Sequence, residues 1–137
     1  MGIALAIDYG IKRTGIAVTD QEQIIATGLT TVPTGELMDF LTDYLHKNHV
    51  EVIVVGEPKR LDGTPGTLEP HIKQLISKIK NQYPELTIVR IDERFTTSLA
   101  QQSLIESGVP KMKRRNKALH DEVSATLILQ SWLYYKK

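Results

Sequence analysis

The stretch that decides the fold is Ile3-Ala4-Leu5-Ala6-Ile7-Asp8-Tyr9-Gly10, followed by Ile11-Lys12-Arg13-Thr14-Gly15-Ile16-Ala17-Val18-Thr19-Asp20. Its first five residues are apolar without alternation, which suits a central strand buried on both faces. The run stops at Asp8-Tyr9-Gly10, turns through Lys12-Arg13, and resumes from Thr14 to Asp20 as a second strand. Gln21-Glu22-Gln23 makes a short polar connection to a β-branched, threonine-rich third strand over Ile24 to Val32. Connections this short join neighbours, so the three strands read as an antiparallel meander.

From Pro33 onward the periodicity changes. Leu37, Phe40, Leu41, Tyr44 and Leu45 share one face of a helix predicted over 35–48. Val50 to Val55 is a second wholly apolar strand, ending at Gly56-Glu57-Pro58, and 59–66 reads as a loop. A helix from about Thr67 to Gln82 places Ile72, Leu75, Ile76 and Ile79 on one side, and Leu86 to Ile91 is a fifth strand ending at Asp92-Glu93-Arg94. Thr96 or Thr97 can cap a helix running to Ser107, where Gly108 stops it. Val109 to Asn116 reads as a basic, mobile connection, and a last helix runs from about Lys117 to Tyr135. The β-α-β crossovers require parallel, right-handed pairing, so the sheet is mixed.

With 137 residues, 41% hydrophobic and 24% charged, the chain fits one domain over 1–137 with one core and is not of disordered composition. It has no cysteine, which excludes disulfides and thiolate metal sites. His46, His49, His71 and His120 lack metal-ligand spacing, so a bound metal would be held by oxygen, which favours magnesium or manganese. No apolar run approaches the roughly 20 residues that cross a bilayer, and the expected location is the cytoplasm.

Three strands end in acids: Asp8, Glu57, and the pair Asp92-Glu93. Parallel strands present their C-terminal ends at one edge, where ligands bind in open α/β sheets. A solvated strand end explains any one of these acids about as well as a site does, but explains all of them together less well. Asp121 is the fourth candidate. It shares a helix face with Ala118, Ala125, Ile128 and Trp132, where an unpaired carboxylate would cost several kcal/mol. A basic partner is the plain alternative to a metal there. Two divalent cations about 3.5–4 Å apart stabilise the attacking and leaving oxygens of a phosphodiester, and need such anionic ligands. Between the strand-five acids, Glu93 alternates with Ile91, Val89 and Thr87, whereas Asp92 alternates with Arg90. That favours Glu93 as the inward acid.

Cations stand beside the acids: Lys12 and Arg13 after Asp8, Lys59 and Arg60 after Glu57, and Arg94 after Glu93. Lys111-Met112-Lys113-Arg114-Arg115-Asn116-Lys117 precedes Asp121. Lys12, Arg13, Lys59, Arg94, Lys113, Arg114, Arg115 and Lys117 are therefore candidates for phosphate contacts.

These segments resemble a known family. Asp8 to Val18 resembles the opening D-x-G-x-K-R-x-G-x-A motif of the YqgF family, also called RuvX. Val55-Gly56-Glu57-Pro58 with Leu61-Asp62-Gly63-Thr64, then Asp92-Glu93-Arg94-Phe95-Thr96-Thr97, then Lys117 to Ala125, resemble its three later motifs in order. The resemblance implies an RNase H-like, RuvC-like α/β fold: a five-stranded mixed sheet in the order 3-2-1-4-5, flanked by helices. It implies a divalent-metal-dependent nuclease using two Mg2+ or Mn2+ ions in processing the 5′ end of pre-16S rRNA, with Holliday junction resolution as the alternative. Asp8, Glu93 and Asp121 would be the catalytic, metal-binding acids. Glu57 departs from the pattern, standing where the family carries an apolar residue. RuvC-type resolvases carry an acid at the end of the corresponding strand, so Glu57 and Asp92 stay open as metal ligands beside Glu93.

The expected partner is nucleic acid, structured RNA before branched DNA, bound by a monomer or homodimer and no membrane. Two other readings remain. Asp8-Tyr9-Gly10 before a hairpin also suits the phosphate loop of actin-like phosphotransferases, which need two such domains. A non-catalytic nucleic-acid-binding module would gain nothing from four carboxylates beside its phosphates.

Overall fold

The computed structural model describes residues 2–60, 62–93 and 117–135, with 117–120 described for their backbone alone. Strands β1 (Ile3–Asp8), β2 (Arg13–Thr19) and β3 (Ala26–Pro33) lead through a 3-10 turn (Thr34–Glu36) into helix α1 (Leu37–Lys47). Then come β4 (Val50–Glu57), α2 (Glu69–Gln82), β5 (Thr87–Asp92) and α3 (Lys117–Tyr135). The five strands form one sheet in the order β3-β2-β1-β4-β5, as expected. β1 pairs antiparallel with β2 and parallel with β4, β2 pairs antiparallel with β3, and β4 pairs parallel with β5. The C-terminal ends of β1, β4 and β5 therefore lie along one edge. The helix expected between Thr96 and Ser107 and the basic connection after it lie outside the described residues.

Element ends moved for local reasons. β3 begins at Ala26 rather than Ile24, because Asp20 Oδ1 accepts the backbone N–H groups of Ile24 and Ile25 at 2.8 and 3.0 Å and holds both in the turn. Pro33 closes β3 without harm: it is on an edge strand, where no ladder donor is needed on the outer side. β4 and β5 each run further than their apolar segments, since Gly56 pairs with Ile91 and Glu57 with Asp92. α2 starts at Glu69, two residues late, with Pro70 in its first turn.

The sheet divides the core by alternation. Ile3, Leu5 and Ile7 of β1 face α1 and α2, where they meet Leu37, Leu41, Ile72, Leu75 and Ile79. Ala4 and Ala6 face the other way, with Ala17, Val52 and Val54, and pack on Ala125, Ile128 and Leu129 of α3. Large side chains thus fill the two-helix face, and small ones line the face under α3. The small face lets α3 come close. A Cβ built on Gly15 would lie 2.2 Å from the carbonyl oxygen of Asp121, so at that point helix backbone rests on strand backbone.

Gly15→Ala is expected to lift α3 from the sheet at a cost of about 1–3 kcal/mol, the usual range for overpacking. Gly35, with nothing within 4 Å of a built Cβ, should accept alanine with little change. Urea unfolding of both variants checks this, and equal midpoints would remove the claim of backbone contact.

Candidate functional site

Asp8 is the last residue of β1 and continues the face of Ala4 and Ala6, beneath α3. It pairs across the sheet with Gly15. On the other side Ile7 pairs with Val55, so Gly56 is the next position beside Asp8. Glycine on both flanks leaves room beside Asp8 that other residues fill. Two further acids enter it. A Cβ on Gly56 would stand 2.9 Å from Glu93 Cδ, so Glu93 lies over the space that this glycine leaves empty. Asp121 enters from α3, its backbone seated on Gly15.

Electrostatics report the convergence. Burial, the charge of Glu93, a hydrogen bond with Glu93 and the charge of Asp121 together raise the Asp8 carboxyl well above its ordinary range. Glu93 is also raised, by burial first; its hydrogen bond with Asp8 and the charge of Arg90 act in the opposite sense. The two carboxyls are hydrogen-bonded to each other, and burial with mutual repulsion makes it costly for both to be ionised. Asp121 is partly balanced: Arg13 Nε donates to its Oδ2 at 2.9 Å. Among the described residues, a basic partner for this carboxylate exists and comes from β2.

Glu57 and Asp92 occupy the opposite side. Glu57 follows Val55 and Asp92 follows Arg90 in alternation, on the face toward α1 and α2. There Glu57 meets Lys59 Nζ at 3.5 Å, and Arg90 grips Glu69 through two hydrogen bonds of 2.9 and 3.0 Å. Arg90 also donates to the carbonyl of Gly56 at 3.1 Å, fixing the backbone that makes room for Glu93. The strand period that favoured Glu93 over Asp92 also separates Glu57 from Asp8.

Of the cationic candidates, Lys12 is exposed beside the site, Arg13 is paired with Asp121 and Lys59 with Glu57. Lys117 opens α3. Its side chain, with Arg94, Lys113, Arg114 and Arg115, lies outside the described residues. Sequence reasoning passed over Gly15 and Gly56. A glycine within the β-branched run Val-Ile-Val-Val-Gly was a readable signal of close approach. It also passed over Thr14 and Thr34, whose hydroxyls lie 2.9 Å apart; Thr34 donates on to the Gly10 carbonyl at 2.6 Å and ties down the turn after Asp8.

The donor set is carboxylate oxygen with no thiol, which fits a hard divalent cation. Among the described residues no three acid or histidine side chains are gathered closely enough to hold one ion. No helix among the described residues is long and apolar enough to cross a membrane.

Comparison with known proteins adds a lineage. The family model described as "RuvX: Holliday junction resolvase" matches residues 2–135. A protein of Christiangramia forsetii named "Putative pre-16S rRNA nuclease" is 54% identical over 134 residues, covering 98% of this chain and 99% of its own. One of the same name from Bacteroides fragilis is 48% identical over 137 residues, covering 100% and 99%. Among solved structures, Thermus thermophilus RuvC in complex with a Holliday junction substrate superposes with a TM-score of 0.58 at 18% identity, over 98% of this chain and 95% of that one. At that identity the likeness concerns the RNase H-like fold.

A carboxyl held above its ordinary value of 3.8 makes folding favour the protonated form. Stability should then fall as pH rises from about 4 through the raised value, since the unfolded chain releases the proton first. Asp8→Asn, whose amide can still donate to Glu93, should remove that decline. It should melt roughly 2–4 °C higher than the parent at neutral pH in EDTA. A melt by circular dichroism across pH checks it, and a variant that melts lower at neutral pH would refute the charge conflict.

Proposed function

We propose, from the premise that the chain belongs to the RuvX family of nucleases, that it is a divalent-metal-dependent endonuclease acting on structured RNA, in processing the 5′ end of pre-16S rRNA in the cytoplasm. The observation that carries the reading is the convergence of Asp8, Glu93 and Asp121, from the ends of two strands and a helix: Glu93 hydrogen-bonds Asp8, and the charges of Glu93 and Asp121 both bear on it. Three carboxyl groups crowded together cost stability in the absence of a cation, and a phosphodiester hydrolase gains from that arrangement.

Asp8 is central in this reading, with a carboxylate on either side. Glu93 and Asp121 complete an oxygen donor set for Mg2+ or Mn2+, two ions in the fullest form. When bound, such ions supply charge stabilisation to the attacking and leaving oxygens and lower the pKa of water. The polypeptide does the rest. Gly15 and Gly56 make room for Asp121 and Glu93, Arg90 holds the Gly56 carbonyl, and the Thr14–Thr34–Gly10 links fix the turn over which a strand of nucleic acid would pass. Lys12, on that turn, is suited to a flanking phosphate, as are the basic residues from Lys113 to Lys117 and Arg94. Glu57 and Asp92 are reserves from the other face, where they can support the site through charge but do not enter it.

The alternative substrate is a four-way DNA junction, favoured by the family model's description. Ribosomal RNA is preferred because relatives about half identical across the whole chain carry that name, whereas the likeness to RuvC concerns fold. The test offers purified protein a pre-16S rRNA fragment, a four-way junction and single strands, in Mg2+, Mn2+ or EDTA. RNA cleavage that EDTA abolishes is expected, and activity on junctions alone would overturn the substrate.

The same assay ranks the acids. Asp8→Asn, Glu93→Gln and Asp121→Asn should each slow cleavage about a thousandfold, several kcal/mol of transition-state stabilisation. Glu57→Gln and Asp92→Asn should stay within about tenfold of the parent. Loss of activity in Glu57→Gln with activity kept in Glu93→Gln would exchange their roles.

A further inference from the structure

Arg13 is where a phosphate-binding cation was expected, yet its guanidinium is turned inward. It opens β2, opposite Pro33 of β3, just after the turn tied down by Thr34 and Gly10. Its Nε meets Asp121 Oδ2 at 2.9 Å, with 34% of the Arg13 side chain and 28% of the Asp121 side chain exposed. Asp121 cannot shift as a whole, because its backbone rests on Gly15. What remains to it is rotation of a short side chain. One choice points the carboxylate at Arg13, and another turns it toward Asp8, whose carboxyl already feels its charge.

We propose that Arg13 is a built-in counter-ion: a positioning residue that holds the Asp121 carboxylate aside and competes with a divalent cation for it. The inference rests on the reading of Asp8, Glu93 and Asp121 as an ion site, and adds a residue whose contact opposes loading of that site. The physical logic is charge balance. Like charges crowded together are costly, and a fixed guanidinium beside one of them reduces the cost while the site is empty of metal. A divalent cation must then displace Arg13 from Asp121, so part of its binding energy goes into breaking that pair.

The test is Mn2+ binding to the full chain without nucleic acid, read by electron paramagnetic resonance of free Mn2+ and by calorimetry. Parent, Arg13→Gln, Arg13→Lys and Lys59→Gln are compared. Arg13→Gln should bind Mn2+ about fivefold tighter than the parent, the worth of a partly exposed ion pair. Lys59→Gln removes the same charge from a pair on the other face, and should change affinity less than twofold. Arg13→Lys should fall between parent and Arg13→Gln, since a lysine ammonium cannot reproduce the guanidinium contact. Equal or weaker Mn2+ binding by Arg13→Gln overturns the proposal, as does an equal gain in Lys59→Gln, which would be a general charge effect. If Arg13→Gln does not fold by circular dichroism, Arg13→Lys decides: tighter than parent supports the counter-ion role, and unchanged or weaker overturns it. Mn2+ binding by neither the parent nor any variant would remove the ion-site reading along with the proposal, whereas binding without a gain removes the proposal alone.

Discussion

A helix can bring its backbone onto a β-sheet only where the sheet presents almost no side chains, and that constraint governs this molecule. The face of the sheet under α3 carries Ala4, Ala6 and Ala17 beside Val52 and Val54, with Gly15 and Gly56 near the edge. Those small residues set how near α3 lies, and its nearness carries Asp121 to the end of β1. A side chain at Gly15 would displace the helix backbone, and one at Gly56 would fill the space that Glu93 occupies. The packing that closes one half of the core is thus the packing that gathers the acids.

The gathering works against stability. Asp8 is raised by burial and by two neighbouring carboxyls, and the molecule limits the cost with a hydrogen bond between Asp8 and Glu93 and a guanidinium against Asp121. Neither device is needed to fold a sheet with helices on both faces. Groups placed against their own electrostatic preference mark sites kept for chemistry. The contrast with the other face is instructive. There Glu69 and Arg90 form a two-point ion pair whose charges are matched, the Glu69 carboxyl lies below its ordinary range, and the pair braces the Gly56 carbonyl. One face balances its charges to hold the frame, and the other leaves negative charge in excess at the end of β1.

The sequence carried a good deal of this. Unbroken apolar runs at Ile3–Ile7 and Val50–Val55 marked strands buried on both faces, and short polar turns marked the meander. The acid at each strand end followed directly, and the two-residue period favoured Glu93 over Asp92 as the inward acid. Element ends were less legible. Asp20 capturing the N–H groups of Ile24 and Ile25, or Glu57 pairing with Asp92, depends on neighbours that a local pattern does not contain.

What the chain determined by itself is the list of elements, the faces of each strand and the set of acids from which a site could be drawn, because these follow from periodicity and from residue chemistry. What the tertiary structure alone decided is which acids meet. Asp121 is more than a hundred positions from Asp8 in the chain, and joins it because α3 descends onto Gly15. Glu57 is as close to the sheet edge as Glu93, yet stands on the other face, with Lys59. Arg13 looked like a free cation next to the site and proved to be the partner of Asp121. Each of these outcomes turns on a distance across the fold of a few ångströms, set by side-chain volume at the helix–sheet contact, and no local pattern along the chain encodes such a distance.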